Sequence, residues 1–205
     1  MPPVVSRRTM LAAAAALAGA GALRAVPAAA DVTASGPLLT YSQDFESGMD
    51  SWTPASDHNE RDYRITRTDA GPVFSGKFSL EYFLNGANDD GTIWVERRFT
   101  GLPGSLPVAV TTSFHLYSDV QSRVNTWPVV AYAGPGRPRI EQDFTIVGQT
   151  NRVAGWAQYK SLGMTRTDGV GGLWVAFGIG ATWEVSRTYY LDLVEVSVAS
   201  TIGTS

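Results

Sequence analysis

Glu141 and Asp143 stand two apart within residues 139–147, a stretch that reads as a strand. On a strand both carboxylates face the same way, with Cβ atoms about 6–7 Å apart. Such a pair can cleave a glycosidic bond as nucleophile and acid. A third acid in register would complete the set used by sandwich-fold glucanases, but position 145 is threonine. His115, Tyr117, Arg98 and Gln142 offer a second chemistry, a Tyr or His base beside an Arg or Gln that neutralises a carboxylate. That is the requirement of a polysaccharide lyase, and no spacing compels it. The plain alternative for both sets is a solvated strand face.

A third chemistry is recognition without cleavage. Sugars are held by aromatic rings against their C–H faces and by polar groups on their hydroxyls. Trp94, Glu96, Arg98, His115, Tyr117, Tyr132, Glu141, Asp143, Tyr159 and Trp174 are expected to point outward from their strands, and part of this set is expected to share one cleft or platform. Trp52 and Trp183 fall near strand ends, where loop sites form. The competing reading is that loops cover one outer face and turn Trp94 or Trp174 into a minor core.

Other chemistries are excluded by composition. With no cysteine there is no thiolate metal site, cysteine nucleophile or disulfide scaffold. Two histidines, His58 and His115, cannot build a multi-histidine metal centre. No Gly-x-Ser-x-Gly elbow occurs, and the glycines at 169, 171 and 172 enter a strand, not a phosphate-binding helix.

The elements that must position these residues read as strands. Alternating runs occur at 38–46, 62–68, 77–84, 92–99, 108–117, 127–133, 139–147, 156–160, 172–180 and 188–198. Asn88-Asp89-Asp90-Gly91 and Gly134-Pro135-Gly136-Arg137-Pro138 punctuate them. In 92–99, Ile93, Val95 and Phe99 share one face, with Trp94, Glu96 and Arg98 on the other. In 108–117 the inner face is Val108, Val110, Thr112, Phe114 and Leu116. In 139–147 it is Ile140, Phe144 and Ile146. One-sided strands at this spacing predict an all-β protein, a two-sheet antiparallel β-sandwich.

The first thirty residues read as an address. Arg7 and Arg8 precede a mildly apolar run from Met10 to Leu23, followed by Ala28-Ala29-Ala30. Order and length fit a signal peptide, and Ser6-Arg7-Arg8-Thr9-Met10-Leu11 resembles the twin-arginine export motif. Removing it takes away Arg7, Arg8 and Arg24, so the net charge moves from -3 to -6. An acidic chain with no further spanning run is expected to be exported and monomeric, bound neither to nucleic acid nor to a membrane. The sandwich is expected over 37–198, with a linker at 31–36 and a tail at 199–205.

Three segments together resemble the jelly-roll carbohydrate-binding modules of galactose-binding-like fold. They are Asp44-Phe45-Glu46-Ser47-Gly48-Met49-Asp50-Ser51-Trp52, Ser75-Gly76-Lys77-Phe78-Ser79-Leu80, and Tyr189-Tyr190-Leu191-Asp192-Leu193-Val194-Glu195-Val196. The resemblance implies non-catalytic binding of a polysaccharide or oligosaccharide. It also implies a structural calcium near the first and last strands, held by Glu46, Asp192 and the Lys77 carbonyl, with Asp44 a further candidate. Oxygen donors of this kind suit calcium. The alternative is that Glu46 caps a turn and Asp192 pairs with an arginine.

Overall fold

Alternation on β6 (Pro107–Ser118) shows how the sandwich is made. Val108, Val110, Thr112, Phe114 and Leu116 are all buried, as their shared face requires. A computed structural model describes residues 36–57, 62–86, 90–182 and 185–201, which lie in one compact unit, Thr33–Ser205. The export segment expected over 1–30, most of the linker at 31–36, and His58, Asn88, Asp89 and Trp183 lie outside the described residues.

The described residues form two antiparallel sheets. The six-stranded sheet contains β1 (Leu39–Gln43), β3 (Tyr63–Thr68), β4 (Ser79–Asn85), β6, β9 (Gly155–Arg166) and β11 (Ser186–Ser200). Its order is β3-β4-β11-β6-β9, with β1 also paired to β11. The five-stranded sheet contains β2 (Thr53–Ser56), β5 (Thr92–Phe99), β7 (Pro128–Gly134), β8 (Thr145–Gln149) and β10 (Leu173–Gly180). Its order is β2-β5-β10-β7-β8. Among the described residues no helix is long and apolar enough to cross a membrane.

Leu80, Tyr82, Phe114 and Leu191 from one sheet meet Ile93, Val95, Val175 and Phe177 from the other. Tyr82 ties the two sheets together. Its hydroxyl donates to the Phe177 carbonyl at 3.0 Å and accepts from the Val95 amide at 3.2 Å. Such a bridge satisfies a polar group that burial would otherwise penalise.

Several sequence expectations need correction. Residues 139–147 are not one strand. The Asp143 carboxylate accepts the Arg139 and Ile140 amides, at 2.7 and 3.2 Å, and closes a 3-10 turn over Glu141–Asp143. A short side chain competes here with ladder pairing. Ile140 and Ile146, assigned inward, are exposed. β2 carries no strand signal in the sequence, because Pro54 masks it. A proline is tolerated there because β2 lies at a sheet edge. β9 runs on to Arg166, and β11 runs to Ser200 instead of 198.

A bulge in β11 breaks the register between Asp192 and Glu195, with Leu193 at a φ of 47°. The extra residue changes the phase of the strand. Leu191 faces the core before it, and Val194, Val196 and Val198 face the core after it. Asp192 is left on the outer side, beneath the segment that crosses there.

Candidate functional site

Residues 71–78, which lead into β4, lie across the outer side of the six-stranded sheet. Two carboxylates pin this segment. Glu46 Oε1 accepts the Lys77 and Phe78 amides, both at 2.8 Å. Asp192 Oδ2 accepts the Phe74 and Ser75 amides, both at 2.9 Å, while Oδ1 accepts the Leu193 amide at 2.7 Å. Arg67 donates to the Phe45 and Glu46 carbonyls at 2.5 and 2.7 Å, with its guanidinium 3.3 Å from the centre of the Phe78 ring. Gly76 has a φ of +76°, and a Cβ there would stand 2.3 Å from Glu46 Cδ. Only glycine combines that backbone with so close an approach.

The pinned segment delivers Phe74 onto His115. Their rings stack at 3.7 Å and 14°, and Phe74 meets Trp156 at 5.6 Å. Beside them runs a row of aromatics across three strands. Tyr190 on β11 pairs with Tyr117 on β6, which pairs with Trp156 on β9. The ring centres lie 6.2 and 5.5 Å apart, edge to face. All three are half-buried, so each keeps part of its ring open. Three adjacent strands make a row roughly 10 Å across. The same face continues along the strands into a groove of about 330 Å³, where Thr40, Ser42, Thr111, Ser113, Lys160 and Glu195 line the walls. Ser113 donates to Glu195 Oε2 at 2.6 Å.

Burial lowers the pKa of His115, opposed by a hydrogen bond to the Leu193 backbone and by the Glu195 charge. Its Nδ1 has no partner among the described residues. The folded state therefore favours neutral imidazole. The stability this contributes is complete above the unfolded value near 6.5 and is lost as the pH falls through the lowered folded value. We expect Tm to drop on acidification below pH 6.5, and to drop less in His115→Phe. Equal slopes in a thermal series from pH 7 to 5 would contradict this.

The set of residues expected to share one surface is divided between both sheets and the core. Only His115 and Tyr117 lie in the aromatic cluster. Tyr159 is a correction. It pairs in register with Phe114, stacks on it at 5.7 Å and lies in the core, with its hydroxyl donating to the Gln149 carbonyl at 2.8 Å. Burial pushes this phenol up to about 12. The phase of β9 is thus the reverse of the one assumed, which turns Trp156 outward.

On the five-stranded sheet, residues 135–144 fold over the outer face. Trp94 packs on Phe144 at 4.9 Å, and Tyr132 packs on Phe144 at 6.0 Å and donates to the Gly136 carbonyl at 2.8 Å. Trp94 and Glu96 are completely buried there, not displayed. Trp94 Nε1 donates to Glu96 Oε2 at 2.9 Å and Arg137 Nε donates to Oε1. Trp174 is half-buried, with the Arg137 guanidinium 5.8 Å above its ring. Arg98 is paired with Asp168 at 2.6 Å.

Asp143 is spent on its own turn, whereas Glu141 lines a separate cleft of about 240 Å³. Burial, then the charges of Asp57 and Asp90, raise the Glu141 carboxyl. The same-face carboxylate pair therefore does not form. The lyase set does not assemble either, since His115 and Tyr117 lie on one sheet and Arg98 on the other.

Trp156, Tyr190 and Phe74 were missed as site residues. Trp156 and Tyr190 were visible as members of strands, and a correct phase for β9 would have exposed Trp156. Phe74 carries no sequence signal, because a loop path places it.

No family model and no curated protein matches the sequence. Solved structures do match. One is a carbohydrate-binding module of the β-sandwich superfamily, 16% identical over 75% of this chain, with a TM-score of 0.50. This chain covers 60% of that protein's length. The fold is the β-sandwich jelly roll of carbohydrate-binding modules. Other similar structures are the xylan-binding module of Paenibacillus barcinonensis Xyn10C and the C-terminal module of Clostridium thermocellum Xyn10B. The first is 15% identical with a TM-score of 0.47, covering 79% of this chain and 95% of its own. The second is 13% identical with a TM-score of 0.46, covering 82% and 97%.

The three segments that carry the module resemblance meet in space. Glu46 from the first and Asp192 from the third both hold the amides that open the second. The donors are oxygens, as calcium requires, and Asp192 is raised by burial and by the Asp44 charge, a repulsion that a cation would relieve. Among the described residues, however, no three acidic or histidine side chains cluster closely enough to hold a metal.

Proposed function

We propose that this domain is an exported, monomeric module that binds polysaccharide without cleaving it. The observation that carries this reading is the Tyr190–Tyr117–Trp156 row on the outer face of the six-stranded sheet. Part-open rings at strand spacing suit the C–H faces of neighbouring sugar rings. The groove of hydroxyls with Lys160 and Glu195 supplies donors and acceptors for sugar hydroxyls beyond the row. The fold shared with carbohydrate-binding modules supports the same conclusion.

The test is retention of the purified domain on insoluble polysaccharides. We expect retention with no new reducing ends and no absorbance from unsaturated products. Release of oligosaccharides would replace this reading with an enzyme. No retention across a broad glycan panel would replace it with a protein-interaction domain.

The reading includes a structural calcium that would rest on two carboxylates, Glu46 and Asp192, and on the Lys77 carbonyl, not on a cluster of three acids. Its chemistry there is to neutralise carboxylates and tie the first and last strands together. We expect a chelator to lower Tm. Glu46→Gln keeps an acceptor for the Lys77 and Phe78 amides but removes a charge, so it should erase the chelator effect. A melting curve unchanged by chelator in the unaltered protein would remove the ion.

A further inference from the structure

The outer side of the five-stranded sheet carries a separate cleft of about 400 Å³ between β2 and the covering segment 135–144. Pro54, Tyr63 and Pro138 form apolar walls over the Trp94 floor, and among the described residues Arg137 and Arg139 are the only charged ones that line it. A cleft whose described lining carries two arginines and no acid runs against the sign of a chain whose net charge is -3.

The arginines are held in place. Glu96 is fully buried, takes Trp94 Nε1 on one oxygen and takes Arg137 Nε on the other. One edge of the Arg137 guanidinium is thereby spent, and its terminal amino groups have no hydrogen-bond partner among the described residues. Burying a carboxylate is a costly way to cover Trp94, since apolar side chains would do so without desolvating a charge. Orienting a guanidinium justifies that cost. Arg139 sits two residues on. Asp143 holds its backbone amide at 2.7 Å, and Pro138 stiffens the link between the two arginines. The Arg139 side chain has no ion-pair partner among the described residues. Because Glu96 neutralises Arg137, Arg139 supplies the net positive charge.

Guanidinium groups match a planar carboxylate with paired N–H donors. The proline and tyrosine walls suit the C–H face of a sugar ring, and the volume falls within the range of small-ligand sites. We propose that this cleft is a second binding site that takes a carboxylate-bearing sugar, a uronic acid residue of a polysaccharide. The proposal deepens the carbohydrate-binding reading and rests on it for the class of ligand, but it uses a different face and different residues.

The experiment is calorimetric titration with an oligogalacturonate and with its methyl ester, which keeps the rings and removes the charge. We expect the free acid to bind at least 10-fold more tightly than the ester. Arg139→Gln should remove that preference and Arg139→Lys should restore part of it, while Trp156→Ala should leave it intact. Raised salt should weaken the acid alone. Equal binding of acid and ester, or an acid preference unchanged in Arg139→Gln, would overturn the site. So would loss of that preference in Trp156→Ala. Arg139-dependent uronate binding without retention on any neutral polysaccharide would remove the aromatic row as a binding face and leave this cleft standing.

Discussion

Trp156→Ala is expected to weaken polysaccharide binding about 30-fold, the equivalent of about 2 kcal/mol for truncating an aromatic anchor. Trp156 is the outermost member of the row, on edge strand β9, and it touches both Tyr117 and Phe74. Removing the indole deletes a stacking surface and also leaves Phe74 without the ring it meets edge-on. Because β9 is an edge and the side chain is half-open, the fold should tolerate the change. Tm should move by only a few degrees. Leu162→Ala is the matched control, since Leu162 is exposed on the same strand and the same side, six residues further along. Affinity electrophoresis in gels containing soluble polysaccharide reads the effect directly. If Trp156→Ala migrates like Leu162→Ala, the row is not the binding face.

Asp192→Ala is expected to be the most destabilising single change in the site, by about 4 kcal/mol. The carboxylate accepts three amides, from Phe74, Ser75 and Leu193. Each amide left unpaired costs about 1–3 kcal/mol where water cannot reach it, and less once the crossing segment loosens. An opposing effect acts on the same group. Burial, reinforced by the Asp44 charge, raises the Asp192 pKa. The stability linked to its protonation is fully present below the unfolded value near 3.9 and is lost as the pH rises through the raised folded value. At pH 7 the ionised carboxylate therefore carries a desolvation cost that the three amides only partly offset, and truncation recovers that cost while leaving the amides unpaired. For a domain of this size the net loss corresponds to a Tm lowered by roughly 12 °C. Urea denaturation measures it. A loss under about 1 kcal/mol would show that the segment is held by Glu46 and Arg67 instead. The same variant should also bind polysaccharide poorly, because Phe74 is placed by the amides that Asp192 holds.

Much of the architecture is legible in the sequence. On β6 the inward residues Val108, Val110, Thr112, Phe114 and Leu116 recur every second position, and all five are buried. The segments around Glu46, Ser75 and Asp192 were recognisable separately, and the fold brings them together as the resemblance implied. Legibility failed where local and tertiary forces compete. Asp143 captures two backbone amides and turns a stretch with strand-like alternation into a 3-10 turn. On β9, Trp156, Gln158 and Lys160 face out and Tyr159 faces in, but aromatic residues occupy both faces. Hydrophobicity alone could not choose the phase.

By itself, then, the amino-acid sequence determined the class of fold and the approximate bounds of most strands. Period-two burial is a local property, written into each strand. Which of the two outer faces stays open is not local. Trp94 and Tyr117 alternate outward in the same way, yet one is sealed beneath residues 135–144 and the other remains beside the segment that delivers Phe74. The difference depends on where connecting segments run and on the buried carboxylates, Glu96 and Asp192, that hold them down. Those contacts join residues 41 and 118 positions apart in the chain, so only the tertiary structure could decide them.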